Sequence, residues 1–357
     1  MAGEDDFELW LGRIGSDKPL GARLRVAANR AGRQLRAAGG RKSKFTGARI
    51  GRGAGVGEFY QKPWMGDDNK VTVYRRRYAG KLDVQRKARK AVGWETELYS
   101  DLSEPEPGRR QRIERVFLKK VDDLASQALV EMLETGAPPA DQNRASAWAR
   151  FLMSLLHRHP ARIALLRQMV EFNMDEITAS VRDDYPTLKA EDDPDTFEEY
   201  VARSSTKLQD GVLAKLIPMI IDSKNVGNAL LGMTWGVGIS KRARFRFVTS
   251  DRPLMTSDGL GNKDSFLVLP IAPDAYFIAA KRVETIDTFR ATQADDVIAS
   301  VNHAMCLQAE HFVLSHDEGQ TRFIDNRLGG SPRHPILRDH RGQIYWENPH
   351  RFDPWAK

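Results

Sequence analysis

Disulfide bonding within the chain is closed to this protein, which has one cysteine, Cys306, among 357 residues. A lone thiol on an apolar, helix-like run is expected to be a small buried hydrophobe, and the count fits a reducing compartment. Long apolar runs are missing too. The longest uncharged stretch, Asn225 to Ser240, falls short of the roughly 20 residues that a membrane-spanning helix needs and is broken by glycines. The N-terminus opens with Glu4, Asp5 and Asp6, where a signal peptide would carry positive charge, so a cytoplasmic protein with no membrane association is expected. The run Gly51-Arg52-Gly53-Ala54-Gly55 has no preceding strand, no following helix and no Gly-Lys-Ser/Thr, which argues against a phosphate-binding loop. Histidines number only 8. Those of His157-Arg158-His159 diverge by about 200° if helical, and His303 and His311 stand about 12 Å apart along a helix axis, too far to share one ion. No cofactor and no metal is therefore called for.

What is present is charge, unevenly spread. The net charge is +7, yet residues 1–57 carry +7 and residues 58–90 another +6, leaving −6 on the remainder. Such separation points to a polyanion, nucleic acid above all, facing the basic end. Residues 1–57 also hold 12 of the 28 glycines and no His or Tyr. A loosely held helix is expected over Ala22 to Ala38, carrying Arg23, Arg25, Arg30, Arg33 and Arg36 as candidate nucleic-acid contacts; Gly39-Gly40 ends it. With few large apolar side chains to offset the entropy of ordering, this segment reads as a flexible basic tail.

From Glu58 the character changes. Val71–Tyr74 reads as a strand, with the basic hairpin tip Arg75-Arg76-Arg77-Tyr78-Ala79-Gly80-Lys81 beyond it. Arg75, Arg76, Arg77 and Lys81 are further candidate nucleic-acid contacts, with charge that protects a sheet edge as the competing explanation. Residues 109–224 carry helical spacing throughout, including the stripe Trp148, Phe151, Leu152, Leu155, Leu156. Strand signals return at Phe245–Thr249, Phe266–Leu269 and Tyr276–Ala280. A helix capped by Thr292, with Asp295 and Asp296 in its first turn, follows. The expected fold is α+β: a small, mainly antiparallel sheet in residues 58–326 with a helical insertion at about 109–224. A flexible basic segment precedes it, and a surface tail runs over 327–357.

The candidate site lies where the strand at Phe245–Thr249 stops. Ser250 and Asp251 can bond nearby amides and end the ladder, and Pro253 keeps Arg252 extended. A Ser-Asp pair at a strand end can serve a catalytic site or simply make a turn. Ser250 and Asp251, with Asn302 on the following helix, are the candidate catalytic residues.

Two resemblances extend this reading. Asp5-Asp6-Phe7-Glu8-Leu9, Gly12-Arg13-Ile14, Ala27-Ala28-Asn29-Arg30-Ala31-Gly32 and Gly47-Ala48-Arg49-Ile50-Gly51-Arg52-Gly53 resemble the opening of VirD-type plasmid mobilisation relaxases, DNA-nicking proteins whose metal-binding histidines and nucleophilic tyrosine lie well downstream. Neither residue type occurs in 1–57, so nicking does not carry over. Phe59-Tyr60-Gln61, Val71–Tyr74, Gly93-Trp94-Glu95-Thr96-Glu97-Leu98-Tyr99, Phe117-Leu118, Asp122 with Ala125, Thr249-Ser250-Asp251-Arg252-Pro253 and Asn302 resemble, over roughly 58–326, a bacterial family known as domain of unknown function 4238. That family usually opens with His-His-Tyr-Val-Pro, a place held here by Gly53-Ala54-Gly55-Val56-Gly57. The resemblances imply a fusion of two truncated genes. Three functions stay open: a degenerate hydrolase or nuclease-like protein linked to mobile-element defence, a non-catalytic nucleic-acid binder using the basic N-terminal third, or an inactive remnant. The oligomeric state is open as well.

Overall fold

The computed structural model describes residues 58–77, 80–92, 119–157, 185–189, 193–257 and 260–328, with single positions at 166, 170 and 182. The expected helix at 22–38 and the tail beyond Leu328 lie outside them.

The chain enters through a short helix, α1 (Glu58–Gln61), and a 3-10 turn (Lys62–Trp64), then forms the hairpin β1 (Lys70–Arg76) and β2 (Leu82–Ala88). The helical block follows as α2 (Lys119–Thr135), α3 (Gln142–His157), α4 (Tyr185–Leu188), α5 (Phe197–Ile221) and α6 (Lys224–Leu231). Helix α2 buries Val121, Ala125, Ala128, Leu129 and Met132, one face at helical spacing. It stops at Gly136, whose φ of 67° is the left-handed conformation that ends helices, with its N–H on the Met132 carbonyl. At the start of α5 the Thr196 hydroxyl accepts the Glu199 N–H, with Glu198 and Glu199 favourably placed in the first turn.

Strands β3 (Thr234–Ile239), β4 (Thr249–Ser250), β5 (Met255–Thr256), β6 (Phe266–Ala272) and β7 (Ala275–Ala280) come next, then α7 (Val283–Ala291), α8 (Ala294–Gln308), β8 (Val313–Ser315) and α9 (Thr321–Asp325). All strand pairs are antiparallel, and the α+β class stands. The strands divide between two four-stranded sheets, β2-β1-β8-β4 and β3-β7-β6-β5, where one sheet was expected. The early hairpin reaches the C-terminal half through β8, not through the hairpin β6–β7.

The β6–β7 hairpin is buried on both faces, which is why it reads as continuous apolar sequence. Leu267, Leu269, Ile271, Phe277 and Ala279 join Trp148, Phe151 and the helical block on one side. Val268, Tyr276, Ile278 and Ala280 join β1, β8, α7 and α8 on the other. Trp148 and Trp235 both meet the Phe277 ring, at 5.6 and 5.2 Å between centroids. The side-chain alternation of one hairpin thus holds two cores together.

Strand β3 sits inside the uncharged, glycine-broken run Asn225 to Ser240. Gly238 lies opposite Tyr276 in the register, and a Cβ there would come within 2.1 Å of the tyrosine ring. The glycine makes room for the ring. The Thr292 cap is also corrected: Thr292 ends α7, its hydroxyl donating to the Thr288 carbonyl (2.9 Å), and Gln293 precedes α8. Asp295 is drawn away to another loop, described below.

Cys306 is fully buried on α8, and burial pushes its thiol up to about 12, a nearby Arg327 opposing this weakly. Burial likewise pushes Tyr276 up to about 12 and raises Tyr60. All three are neutral acids whose ionisation the fold opposes. Their contribution is therefore complete below their unfolded-state values and is lost as pH climbs through the folded ones. Thermal melting is expected to be flat through pH 8 and to fall between about pH 9 and 12. Cys306→Ala should flatten part of that slope, and native Cys306 should resist alkylation at pH 8 until the protein unfolds.

Candidate functional site

The chain from Arg246 to Pro253 is held by side chains where a strand would use a neighbouring backbone. Of the strand expected over Phe245–Thr249 only Thr249–Ser250 pairs, with Leu314 and Val313 of β8. Phe247 and Val248 are both fully buried, so the expected alternation of faces fails there. The Phe247 N–H donates to the Pro273 carbonyl at 2.8 Å. On the opposite edge Asn302, fully buried on α8, stands in for a strand: its Oδ1 accepts the Val248 N–H (2.8 Å) and its Nδ2 donates to the Arg246 carbonyl (2.8 Å). In an extended chain the carbonyl of one residue and the N–H two residues on point the same way, so one carboxamide satisfies both. The remaining Asn302 N–H reaches Gln320 Oε1 (2.9 Å), and Gln320 Nε2 donates to the same Arg246 carbonyl (2.5 Å).

Ser250 is also fully buried. Its hydroxyl contacts Met305 Sδ at 3.1 Å and accepts the Arg252 N–H at 3.1 Å, the local bond expected of a serine that ends a strand. Asp251 turns toward the segment after α8, where its carboxylate accepts the N–H groups of Glu310 (3.1 Å) and His311 (2.8 Å). Its own N–H donates to the Phe312 carbonyl (3.3 Å), and Gln308 Nε2 donates to the Arg252 carbonyl. Tyr60 extends the network from α1: its hydroxyl meets Thr249 Oγ1 (2.8 Å) and donates to the Pro270 carbonyl (2.5 Å), tying both sheets together. Ser250, Asp251 and Asn302 thus gather around one crossing of chain, with Asp251 bonded to the segment after α8 and Asn302 to the stretch before β4 and to Gln320. Gln308, Gln320 and Tyr60 complete the arrangement. Glutamines give no spacing signal, and only the fold brings them here.

The basic hairpin spends its arginines internally. Arg76 pairs with Asp325 (2.5 Å) and donates to the Leu328 and Gly80 carbonyls (3.0 and 2.9 Å). Arg77 pairs with Asp83 (2.9 Å), Arg89 with Glu58 (3.3 Å), and Arg75 lies over the Phe312 ring at 5.3 Å. Arg86 pairs with Asp68 and donates to Thr72 Oγ1 (2.8 Å) and the His316 carbonyl (2.7 Å). That guanidinium holds the Asp68 carboxyl below its usual value. Of the hairpin candidates Lys81 alone is exposed without an ion pair among the described residues. Arg23, Arg25, Arg30, Arg33 and Arg36 lie outside those residues.

A second basic stretch behaves differently. The loop from β3 to β4 contains Lys241-Arg242-Ala243-Arg244-Phe245-Arg246, and among the described residues none of its four cations pairs with a carboxylate. Lys241, Arg242, Arg244 and Phe245 are exposed. The Arg244 guanidinium lies over the Phe245 ring at 5.2 Å. Among the described residues no group of three or more His, Cys, Asp or Glu side chains could hold a metal ion; His303 instead accepts from Arg327 Nε (3.2 Å), and His159 of the His-x-His pair is not described.

Fold and site together define an α+β protein of two antiparallel sheets and a helical block, with a bonded polar crossing beside an unpaired basic loop. The chain belongs to the family described as protein of unknown function (DUF4238), whose model matches residues 56–319. No curated protein and no solved structure matches the chain. Among the described residues no helix is long and apolar enough to cross a membrane.

Proposed function

We propose that this protein binds nucleic acid without catalysing a reaction on it, and that the basic loop Lys241–Arg246 is a principal contact. One observation carries the reading: Lys241, Arg242 and Arg244 are exposed with no carboxylate partner among the described residues, while Arg76, Arg77 and Arg86 of the other basic element are committed to ion pairs and carbonyls. Unpaired surface cations can exchange their counterions for phosphates at little cost, whereas paired ones must first break internal bonds. Lys81 and the basic residues of 1–57 would add to the same attraction.

The hydrolytic reading asks Ser250, Asp251 and Asn302 to act on a substrate. Their bonds to backbone groups make the crossing a structural clasp in our proposal, since a buried hydroxyl and a saturated carboxamide offer a substrate little. The same proposal takes the family domain to begin near residue 58, with residues 1–57 as a joined, relaxase-like piece; the start of the family match at residue 56 supports a junction there.

The test is the binding of a fluorescent oligonucleotide by the full chain over a range of salt. Three phosphate contacts, from Lys241, Arg242 and Arg244, predict a contribution of about −2 to the log–log slope for a single strand. Replacing Lys241, Arg242 and Arg244 together by alanine should reduce the slope by about 2 and weaken binding with melting unchanged. Binding that salt leaves untouched, or a triple variant that binds as tightly as the parent, overturns the proposal.

A further inference from the structure

We infer that the Lys241–Arg246 loop is a preformed site for single-stranded nucleic acid, with Phe245 as the surface on which an unpaired base stacks. The inference rests on the nucleic-acid reading above and adds the form of nucleic acid and the residue that selects it.

The loop is held in place before any ligand arrives. At its start the Ser240 N–H donates to the Asp274 carbonyl (2.7 Å), and the Ala243 N–H closes back on the Ser240 carbonyl (3.0 Å). In its middle Asp295, at the start of α8, accepts the N–H groups of both Arg244 (2.8 Å) and Phe245 (3.3 Å) through one oxygen. The Arg246 side chain turns inward and donates to the Ala243 carbonyl (3.2 Å), while Asn302 and Gln320 hold the Arg246 carbonyl from the core. A loop fixed at both ends and in the middle loses little conformational freedom on binding. Asp295 is a positioning residue here. It and Asp296 are the carboxylates of the adjoining helix start, and the bonds to two amides turn the Asp295 charge onto the backbone.

What the loop presents is specific. Phe245 keeps 41% of its surface exposed, although the next two apolar residues, Phe247 and Val248, are fully buried. The chain could have turned this ring inward with them. Instead it stands between Arg244 and Arg246, with the Arg244 guanidinium over it. An aromatic ring beside exposed cations, here Lys241, Arg242 and Arg244, is the combination that grips a strand by base stacking and phosphate contact, with little dependence on sequence. A base inside a duplex is already stacked on its neighbours and cannot use the ring, so the arrangement favours unpaired nucleotides. An anionic lipid surface would also welcome the cations and an apolar side chain, and Ile239 at the loop's start is 40% exposed. A membrane would accept leucine in place of phenylalanine, whereas stacking needs a ring.

The experiment uses the full chain with Phe245→Leu and Phe245→Trp, and melting serves as the folding control. Probes are a fluorescent oligothymidine, a duplex of the same length, and vesicles with and without phosphatidylserine. The expected result is tighter binding of the single strand than of the duplex. Phe245→Leu should lose on the order of ten-fold on the single strand with little change on the duplex, and Phe245→Trp should keep or raise the affinity. If Phe245→Leu matches the parent on both nucleic acids while the Lys241, Arg242 and Arg244 replacements still weaken binding, the stacking inference fails and the nucleic-acid reading survives. If the parent binds neither nucleic acid, or binds only the phosphatidylserine vesicles, both fail.

Discussion

Replacing Asn302 by alanine is expected to cost about 3–4 kcal/mol of stability. The side chain is fully buried and satisfies the Val248 N–H, the Arg246 carbonyl and Gln320 Oε1. Alanine leaves the Val248 N–H buried with no acceptor, a loss of about 1–3 kcal/mol by itself, and strands the Gln320 oxygen as well. The Arg246 carbonyl keeps Gln320 Nε2, which limits the damage on that side. Asn302→Asp should be worse than alanine at neutral pH, although it retains an acceptor for Val248. The new carboxylate would face the Arg246 carbonyl and Gln320 Oε1 with no proton to give either. Urea denaturation of the two variants checks this order. Equal stability of Asn302→Asp and the parent would remove Asn302 from the clasp.

Gly238→Ala carries the other large effect. The added Cβ would lie 2.1, 2.3 and 2.6 Å from Cε1, Cζ and the hydroxyl oxygen of Tyr276. The ring cannot easily retreat, because Phe247 and Phe289 pack against it with centroids 5.5 and 5.9 Å away. Overpacking of this kind costs typically 1–3 kcal/mol, and a clash with a ring wedged between two others belongs at or above the upper end, about 3 kcal/mol. A double-mutant cycle separates the clash from the intrinsic cost of alanine. In a Tyr276→Val background Gly238→Ala should cost well under 1 kcal/mol, since valine does not reach the site. A cost that is the same in both backgrounds would mean that β3 and β7 are not in the register described.

How much of this the sequence shows depends on where each element's bonds go. The helices α2 and α3 and the hairpin β6–β7 are legible because their own periodicity decides their burial: Val121 to Met132 repeat at helical spacing, and Phe266 to Ala280 is apolar on both faces. Strand β3 is hidden because Gly238 answers to Tyr276 about forty positions later, which no local pattern reports. The stretch Phe245–Val248 looks like a strand because it is extended, but its neighbours are the Asn302 side chain and one carbonyl, so no ladder forms. Ser250, Asp251 and Asn302 are visible as polar residues in suggestive places. What they bond is set by α8 and β8 crossing β4, and Gln308 and Gln320 enter only through that crossing. The hairpin arginines look available for nucleic acid because Asp325, Asp68 and Glu58 are distant in sequence or outside the strand pattern. The loop Lys241–Arg246, by contrast, looks in sequence like any other short basic stretch, and only the fold shows that Lys241, Arg242 and Arg244 are exposed with no carboxylate partner among the described residues.

The measurement that bears most directly on the division between a structural clasp and a binding loop sets two full-length variants side by side, reading melting temperature and oligonucleotide affinity for each. Asp251→Ala removes the acceptor of the Glu310 and His311 amides. It should lose about 2 kcal/mol of stability, a fall of several degrees, and keep its affinity at temperatures where it is folded. The combined Lys241→Ala, Arg242→Ala and Arg244→Ala protein should melt with the parent and lose affinity. The opposite pattern, Asp251→Ala melting like the parent but losing its ligand while the loop variant binds undiminished, would contradict the division and return Ser250, Asp251 and Asn302 to the role of a working site.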